Sequence, residues 1–477
     1  MVMKHKTYIL TLIVLIVTAY GCSDYLGLKP RGYDVAEKLD HYEGLLYGSE
    51  SFMLDEVFPF MSFEWTTDAD AYANAYSLMG SDITNAYKWQ ADIFRPDENC
   101  GEWNFPASML YPINIVANEV MNAEGGTEEE KKAILSEARV MRAYMTFFMA
   151  QCFGAPYDPA TAGTDLCVPI ITKASTTGNE FPRRTVKDVY DFIITEMTGS
   201  VPELPERPEH FSRAFRVTGQ AMLGKVYWMM GDYESALEPL GKAMTGLNAA
   251  GCGFLDYNSM EENGEIAYPT DDLLNPELIY NIKSMANIWP SMYPSYYGTI
   301  LFALKTDILK RYYKANDLRL CFISGLSSGK TAFNRFDRND TYYLNLSNFV
   351  ANFGISVPDL YLMYAECLAR TGAGSDAISV LEEMRRNRMP SSEASVTAAE
   401  GDALVRFIVE ERFREFLGYG NLWFDMRRLW EDPLFQDLKE MYTHTDGTST
   451  YTLTKERLTM RIPPAIMEWH PEYTDNK

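Results

Sequence analysis

Aromatic side chains gather in two stretches of the chain that lack helical periodicity, at about 50–105 and 251–350. An exposed flat ring can pack against the apolar C–H face of a sugar, and neighbouring Asp, Asn and Arg side chains can bond its hydroxyl groups. The candidate ligand-binding rings are those beside polar or turn residues: Trp65, Trp89, Trp289, Tyr293 and Tyr296. The alternative is that rings in these stretches fill satellite cores, as we expect of Trp103 just before a helix.

Acidic residues near the C-terminus could form an acid–base pair for catalysis. Glu410, Glu411 and Glu415 alternate with arginines in the segment EERFRE. Interleaved charges of opposite sign favour a network of ion pairs over a pair of catalytic carboxylates, and Glu410 stands one helical turn before Arg414. We therefore predict a structural role for these residues.

The segment GLSSG at 325–329 matches the nucleophile-elbow pattern, with Ser327 in the nucleophile position, and GLSSGKT is a phosphate loop one residue short. The residues that follow lack the apolar periodicity of the helix that an elbow requires, and Lys330 has the wrong spacing to reach a β-phosphate. Neither motif is expected to function. The sequence therefore predicts no catalytic residue, no cofactor and no enzymatic activity.

Metal-binding patterns are also weak. The histidines form no HExxH motif and no cluster with metal-ligand spacing. Asp68, Asp70 and Asp82 could hold calcium, but a solvated acidic loop is the interpretation we favour. Six cysteines beyond Cys22 are spread singly with no CxxC pair, so we expect neither a zinc site nor a disulfide framework, and leave one or two bridges open.

The formal net charge is −23, and 47% of the residues are hydrophobic, enough for globular cores. An acidic surface of this kind repels the phosphates of nucleic acids and anionic lipid headgroups. We therefore expect no nucleic acid as a partner and no basic contact with a membrane.

The N-terminus predicts export. Lys4 and Lys6 precede an uncharged run from Thr7 to Gly21, which is shorter than the roughly 20 apolar residues that span a bilayer. A basic start, an apolar middle and a small residue before the processing point are typical of a signal peptide, here residues 1–21. Cleavage before Cys22 would leave the cysteine that receives lipid in bacterial lipoproteins. The alternative is an uncleaved anchor followed by a buried cysteine.

Helical patterns dominate the rest of the chain. From Thr127, a capping threonine followed by Glu130 and apolar residues at helical spacing predicts a helix that ends before Gly154. A partner helix is expected near 111–122, joined to the first through the short link at 124–126. A further helix with an apolar stripe is expected from Val405 to Leu417, with a second helix after it.

Two segments match the tetratricopeptide pattern of paired antiparallel helices. They are 219–244 and 360–388, in which small residues allow the two backbones of each pair to approach closely. The two segments are more than a hundred residues apart in the chain. The sequence therefore predicts a mainly α-helical scaffold of tetratricopeptide type, interrupted by long loop-rich insertions with few short strands.

In order and spacing, several segments together resemble the SusD/RagB family of Bacteroidetes outer-membrane lipoproteins across nearly the whole mature chain. They are Cys22-Ser23-Asp24, SEARVMRAYMTFFMAQCFG, Val168-Pro169, RVTGQAMLGKVYWMMGDY, Asp317-Leu318-Arg319, PDLYLMYAECLARTG, EERFREFLGYGNLWFDMRR and RIPPAIMEWHPEY. Departures from the family pattern are found at Tyr419 and at Leu422-Trp423, and they affect packing more than function.

The resemblance implies a single domain, residues 22–477, on a tetratricopeptide scaffold. It implies a cell-surface lipoprotein, anchored in the outer membrane by lipid on Cys22, that captures oligosaccharide or polysaccharide for a SusC-like TonB-dependent transporter. Ser23-Asp24 resembles the short acidic signal for surface export. Other cargo, including peptides, is the alternative. A glycoside hydrolase is a further alternative that would require two carboxylates across a cleft. The ligand residues of the family vary and are not transferred.

Overall fold

A computed structural model of the chain describes residues 36–47, 57–175, 181–207, 213–269, 275–280, 283–284, 302–328, 330–333, 340–344, 351–352 and 354–476. The chain there is mainly helical. The α-helices, in order, are α1 (Leu39–Tyr47), α2 (Ala69–Met79), α3 (Ser81–Tyr87), α4 (Gly101–Glu119), α5 (Glu128–Phe153), α6 (Val186–Ser200), α7 (Arg216–Met229), α8 (Tyr233–Ala250), α9 (Tyr257–Met260), α10 (Thr306–Tyr312), α11 (Val357–Arg370), α12 (Gly374–Arg386), α13 (Asp402–Glu415), α14 (Asn421–Arg428) and α15 (Pro464–Trp469).

The strands are short, and all their pairings are antiparallel. They are β1 (Trp65–Thr66), β2 (Leu166–Pro169), β3 (Arg183–Thr185), β4 (Glu261–Glu262), β5 (Glu265–Ile266), β6 (Leu278–Tyr280), β7 (Lys283–Ser284), β8 (Ala303–Leu304), β9 (Ile323–Gly325), β10 (Tyr342–Leu344), β11 (Ala351–Asn352), β12 (Ile355–Ser356), β13 (Thr443–Thr445) and β14 (Thr450–Thr452). Four of them form one sheet in the order β1-β8-β10-β9. Trp65 lies opposite Leu304, and Tyr342 lies opposite Gly325. The two aromatic stretches of the sequence therefore meet in this sheet.

The predicted hairpin of α4 and α5 is confirmed. The hydroxyl of Thr127 accepts a hydrogen bond from the backbone N–H of Glu130, and the Glu130 carboxylate accepts one from the N–H of Thr127 at 2.7 Å. This capping box satisfies two of the donors left free at a helix N-terminus. Gly125 and Gly126 make the preceding turn, both at positive φ.

The two tetratricopeptide-like pairs are the hairpins α7–α8 and α11–α12, and α8 packs against α11. A Cβ atom added to Gly224 would lie 2.4 Å from Cδ2 of Leu240, so a larger residue would displace the Leu240 side chain or move α7 and α8 apart. Helix α13 crosses α11 and buries the predicted stripe that includes Val405, Ile408 and Phe413. The predicted helical-repeat scaffold is thus confirmed.

The prediction that the stretch 50–105 is non-helical is wrong for its described part, which contains α2, α3 and the start of α4. The carboxylate of Asp68 caps α2 by accepting a hydrogen bond from the N–H of Ala71 at 2.8 Å. Alternate residues of α2 from Ala69 to Ala75 are alanine, which favours helix by intrinsic propensity without producing apolar periodicity. The described part of 251–350 contains short strands, turns and loops together with the short helices α9 and α10.

The predicted charge network near the C-terminus is confirmed. Glu411 is buried and forms ion pairs with Arg319 at 2.6 Å, with Arg414 at 3.0 Å, and with Arg385. Arg414 therefore pairs with the glutamate three residues before it, and not with Glu410 as the spacing predicts. The carboxylate of Glu411 is saturated by guanidinium groups and is not available for proton transfer.

A second part of the network ties an insertion to the scaffold. Arg388 is completely buried and lies 2.6 Å from the carboxylate of Glu277 and 2.9 Å from that of Glu415. Glu277 belongs to the long insertion, whereas Arg388 and Glu415 follow or end scaffold helices. Because each charge is paired inside the protein, the insertion is held against the helices at this point.

Most buried hydrophobic residues form one continuous core. A satellite core lies under the second insertion and consists of Leu255, Tyr257, Leu318, Cys321 and Phe322. The six cysteines within the described residues are buried and form no disulfide bond with one another: Cys100, Cys152, Cys167, Cys252, Cys321 and Cys367. In the described part of the chain, no helix is both long and apolar enough to cross a membrane.

Candidate ligand-binding site

Two of the predicted ligand-binding rings are core residues. Trp65 is 1% exposed, and its indole N–H donates to the carbonyl oxygen of Pro59 at 2.8 Å. Trp89 is 4% exposed, and its indole N–H donates to the carbonyl oxygen of Met61 at 2.9 Å. Neither ring has a free face for a sugar, which corrects the prediction for these two residues. The buried position of Trp103 agrees with the expected structural role.

The remaining predicted rings, Trp289, Tyr293 and Tyr296, lie outside the described residues, as does the predicted lipidation site Cys22. Their roles stay predictions.

The buried Trp89 helps to build an adjacent surface. The imidazole of His444 is stacked between the rings of Trp89 and Tyr87, with centroid distances of 4.0 and 4.2 Å. Trp89 has a φ of +52°, a left-handed conformation that non-glycine residues rarely adopt. The stack and the indole hydrogen bond hold this conformation. Lys88 lies between the two aromatic residues in the sequence, and its side chain makes its contacts away from the stack.

The ammonium group of Lys88 lies against two tyrosine rings and a carboxylate. Its nitrogen is 4.2 Å from the ring centroid of Tyr72, 5.0 Å from that of Tyr451 and 3.1 Å from Oδ2 of Asp446. The hydroxyl of Tyr451 donates to the same carboxylate oxygen at 2.7 Å. A cation held between aromatic faces is attracted by their negative electrostatic potential, so these four side chains form one rigid group.

Tyr72 and Tyr76 extend this group along α2. Residues four apart lie on the same face of a helix, one turn from each other. Tyr72 is half-buried beside Lys88, whereas the Tyr76 side chain is 54% exposed. We call the surface formed by Tyr72, Tyr76, Lys88, Asp446 and Tyr451 the tyrosine face. It presents an exposed ring next to a buried group of hydrogen-bonding side chains.

The hairpin β13–β14 supplies Asp446 and Tyr451 and is packed directly on the start of α2. Gly447 in its turn has a φ of +83°, and a Cβ atom there would lie 2.3 Å from the backbone nitrogen of Ala69. The hydroxyl of Tyr87 donates to the carbonyl oxygen of Thr445 at 2.8 Å. These contacts position the hairpin between α2 and the end of α3.

Lys88 and Asp446 in the tyrosine face keep their charges over a wide pH range. Hydrogen bonds from Tyr451 and Thr448 hold the pKa of Asp446 well below its usual range. Burial alone would lower the pKa of Lys88, but its contacts with Tyr72, Tyr451 and Asp446 outweigh this and raise it. Lysine and aspartate therefore stay ionised, and the pair carries no net charge.

The acidic group of the tyrosine face is the carboxylate of Asp446. This carboxylate is occupied by Lys88 and Tyr451, so it does not serve as a general base. Within the described ranges no group of three or more histidine, cysteine or acidic side chains could hold a metal ion, and Asp68 acts as a helix cap. Ser327 is followed by a turn in place of the helix that an elbow needs.

The chain thus combines a helical-repeat scaffold with an aromatic and polar face built from the first insertion and the hairpin β13–β14. The model of a family described as "Starch-binding associating with outer membrane" matches residues 25–228. The model of the SusD family matches residues 357–472. The chain belongs to the SusD/RagB family.

Individual relatives agree over almost the full length. A SusD-like protein from Formosa agariphila is 24% identical, with 89% of this chain and 91% of that protein covered. The structure of a putative sugar binding protein from Bacteroides vulgatus has a TM-score of 0.68 at 17% identity, covering 93% of this chain and 99% of that one. A SusD superfamily protein from Bacteroides fragilis has a TM-score of 0.69 at 17% identity, covering 92% and 100%. At these identities the two structures establish the fold alone.

Proposed function

We propose that the protein is a cell-surface lipoprotein that captures oligosaccharide or polysaccharide and passes it to a TonB-dependent outer-membrane transporter. Membership in the SusD/RagB family supports the class, and the match to a family described as starch-binding and associated with the outer membrane supports both the ligand and the location. Lipid on Cys22 would supply the anchor.

The observation that carries the ligand assignment is the arrangement of Tyr72 and Tyr76 beside Lys88. Two tyrosine rings one helical turn apart offer successive apolar surfaces to a chain of sugars, and the ammonium of Lys88 beside them is a hydrogen-bond donor for hydroxyls. The pair Lys88–Asp446 has no net charge, and the whole chain is strongly acidic. The face therefore suits neutral glycans better than anionic ones.

Affinity from such a face is expected to be modest and to grow with chain length. Each stacked ring contributes on the order of 1 kcal/mol beyond its buried area, so a monosaccharide on one ring binds weakly. Attachment to the membrane beside a transporter would raise the effective concentration of the captured chain.

Isothermal titration of residues 23–477 against neutral plant, host-mucin and microbial oligosaccharides tests the proposal. Tyr76→Ala should weaken binding about five-fold to ten-fold, which corresponds to the loss of one ring. Tyr111→Ala is the matched control, because Tyr111 is also an exposed tyrosine but lies on α4. Equal loss in both variants, or no loss in Tyr76→Ala, would place the ligand elsewhere.

Two further measurements separate the alternatives. Trp289→Ala tests the predicted rings of the second insertion in the same titration. A reducing-end assay with the oligosaccharides that bind should detect no release of sugar, and release at enzymatic rates would favour a hydrolase. Binding of peptides in the absence of any response to glycans would support the alternative cargo.

A further inference from the structure

A groove lies on the helical scaffold where the start of α8, the end of α11 and the start of α13 meet residues 432–434. Its volume is about 720 Å³, within the range of roughly 300–1,000 Å³ over which proteins bind small molecules. The helices and strands of the tyrosine face do not contribute to it. We call this surface the scaffold groove; its walls include Tyr233, Arg370, Asp402, Val405, Asp432 and Leu434.

The charges of the scaffold groove disfavour an anionic ligand. The guanidinium of Arg370 is paired twice, with Nε 2.9 Å from Oε1 of Glu366 and Nη2 2.7 Å from Oδ2 of Asp432. Its positive charge is therefore already offset by two carboxylates. Asp402 adds a further negative charge at the start of α13, so the groove as a whole repels anions.

A cationic ligand would also find little to hold it. The second carboxylate oxygen of Asp432 accepts a hydrogen bond from the backbone N–H of Leu434 at 2.9 Å. Among the described carboxylates of the groove, only Asp402 has neither a hydrogen bond nor an ion pair with a described residue, and it is exposed. A single carboxylate in water attracts a cation only weakly. The scaffold groove therefore suits a neutral molecule.

Polar groups with spare hydrogen-bonding capacity lie beside apolar walls in the groove. The hydroxyl of Tyr233 and Nη1 of Arg370 make no hydrogen bond to any residue that the structure describes, so both can donate. Burial raises the pKa of Tyr233 to about 12, so its hydroxyl keeps its proton. The guanidinium carbon of Arg370 lies 4.6 Å from the ring centroid of Tyr233, which fixes the two donors relative to each other. The carboxylate of Asp402 is the acceptor.

We propose that the scaffold groove is a second sugar-binding site, which takes one or two neutral sugar units of a glycan chain. Sugar hydroxyls both donate and accept hydrogen bonds, and the C–H groups of the ring can pack on Tyr233, Val405 and Leu434. This inference rests on the proposed function and adds to it. A chain held at the tyrosine face and at the groove dissociates only when both contacts are lost, so long chains should bind more tightly than short ones.

Isothermal titration of residues 23–477 with maltotriose, cellotriose and xylotriose tests this assignment. The unaltered protein should bind two molecules of a trisaccharide. Asp402→Ala should weaken one of the two sites about ten-fold, which corresponds to the loss of one charged hydrogen bond, and Tyr76→Ala should weaken the other. Tyr233→Phe keeps the ring beside Arg370 and should weaken the same site as Asp402→Ala. The matched control is Asp376→Ala, an exposed aspartate in the first turn of α12, which should change neither site.

The outcomes separate this inference from the proposed function. A single site that Tyr76→Ala weakens and Asp402→Ala leaves unchanged would overturn the scaffold groove alone. Absence of binding by all three sugars would contradict both. A crystal of the unaltered protein soaked in the sugar that binds gives a measurement that does not depend on a variant. Sugar density between Tyr233 and Asp402 is the expected result, and solvent alone in the groove would overturn the proposal.

Discussion

The ammonium nitrogen of Lys88 lies 3.1 Å from Oδ2 of Asp446, although most of the chain separates the two residues in sequence. The contact follows from the core beneath it. His444, two residues before Asp446, is stacked between Tyr87 and Trp89, the two neighbours of Lys88. The same buried stack therefore positions both partners of the ion pair, and the tyrosine face is an extension of the core rather than an independent loop.

Replacing Lys88 with methionine should weaken oligosaccharide binding and destabilise the protein by about 2 kcal/mol, because a mostly buried carboxylate loses its charged partner. The two side chains are 17% and 10% exposed. The control is Lys242→Met, whose pair with Glu238 is exposed at 58% and 77%, so solvent screens it and its loss should leave stability nearly unchanged. Urea unfolding followed by tryptophan fluorescence measures both. Equal losses in the two variants would contradict the structural role assigned to Lys88.

Gly447→Ala should separate the hairpin β13–β14 from α2. The new Cβ would lie 2.3 Å from the backbone nitrogen of Ala69, and backbone atoms cannot move aside as a flexible side chain does. We expect a loss of about 2–4 kcal/mol in the free energy of unfolding together with loss of oligosaccharide binding. Gly251→Ala has a similar φ of +78° with no atom within 4 Å, and should lose only about 1 kcal/mol. Equal losses would mean that φ alone, and not the contact with α2, requires glycine at 447.

The scaffold could be predicted from sequence because each of its helices carries its own signals. Thr127 and Glu130 mark the start of α5, and the small residue Gly224 marks where α7 and α8 touch. Apolar periodicity in the sequence does not indicate helix α2, because the stability of this helix rests on alanine propensity and on the cap at Asp68.

The tyrosine face was only partly predictable. The sequence shows a cluster of aromatic residues in the first insertion, but the neighbours of an indole in the sequence do not decide whether it is buried. Trp89 is buried because its N–H reaches the carbonyl of Met61, a contact that its neighbours in the sequence do not indicate. The four-residue spacing of Tyr72 and Tyr76 was a usable signal once α2 is known to be a helix. The approach of Asp446 to Lys88 is a long-range contact and leaves no local pattern.

Glu411→Gln should be strongly destabilising, by about 3–5 kcal/mol, because it removes a buried negative charge shared by three arginines. The adjacent Glu410→Gln is the control. Glu410 is only partly buried and forms no ion pair with the described residues, so we expect a change within about 0.5 kcal/mol. Thermal and urea unfolding of both variants measure the change in their stability. Similar stability of the two would show that the network does not hold the insertion to the scaffold.

Glu64 should make stability decrease as pH rises. Burial raises the pKa of its carboxyl from 4.5 to about 7, an effect that the hydrogen bonds from Ser62 and Gly418 offset only in part. Its Oε2 atom is buried without a hydrogen-bond partner among the described residues, as expected for a group that holds a proton. Because the folded-state pKa is above the unfolded value, the contribution is fully present below pH 4.5 and is lost as pH rises through 7.

The variant Glu64→Gln isolates this effect, since glutamine keeps an acceptor oxygen but does not titrate. Other groups change stability in the same experiment, so the quantity to measure is the difference in unfolding free energy between the two proteins at each pH. Relative to Glu64→Gln, the unaltered protein should lose up to about 3 kcal/mol between pH 4.5 and 7. His444, whose pKa burial lowers to about 3, acts in the opposite direction but equally in both proteins. A pH-independent difference would show that folding leaves the pKa of Glu64 unchanged.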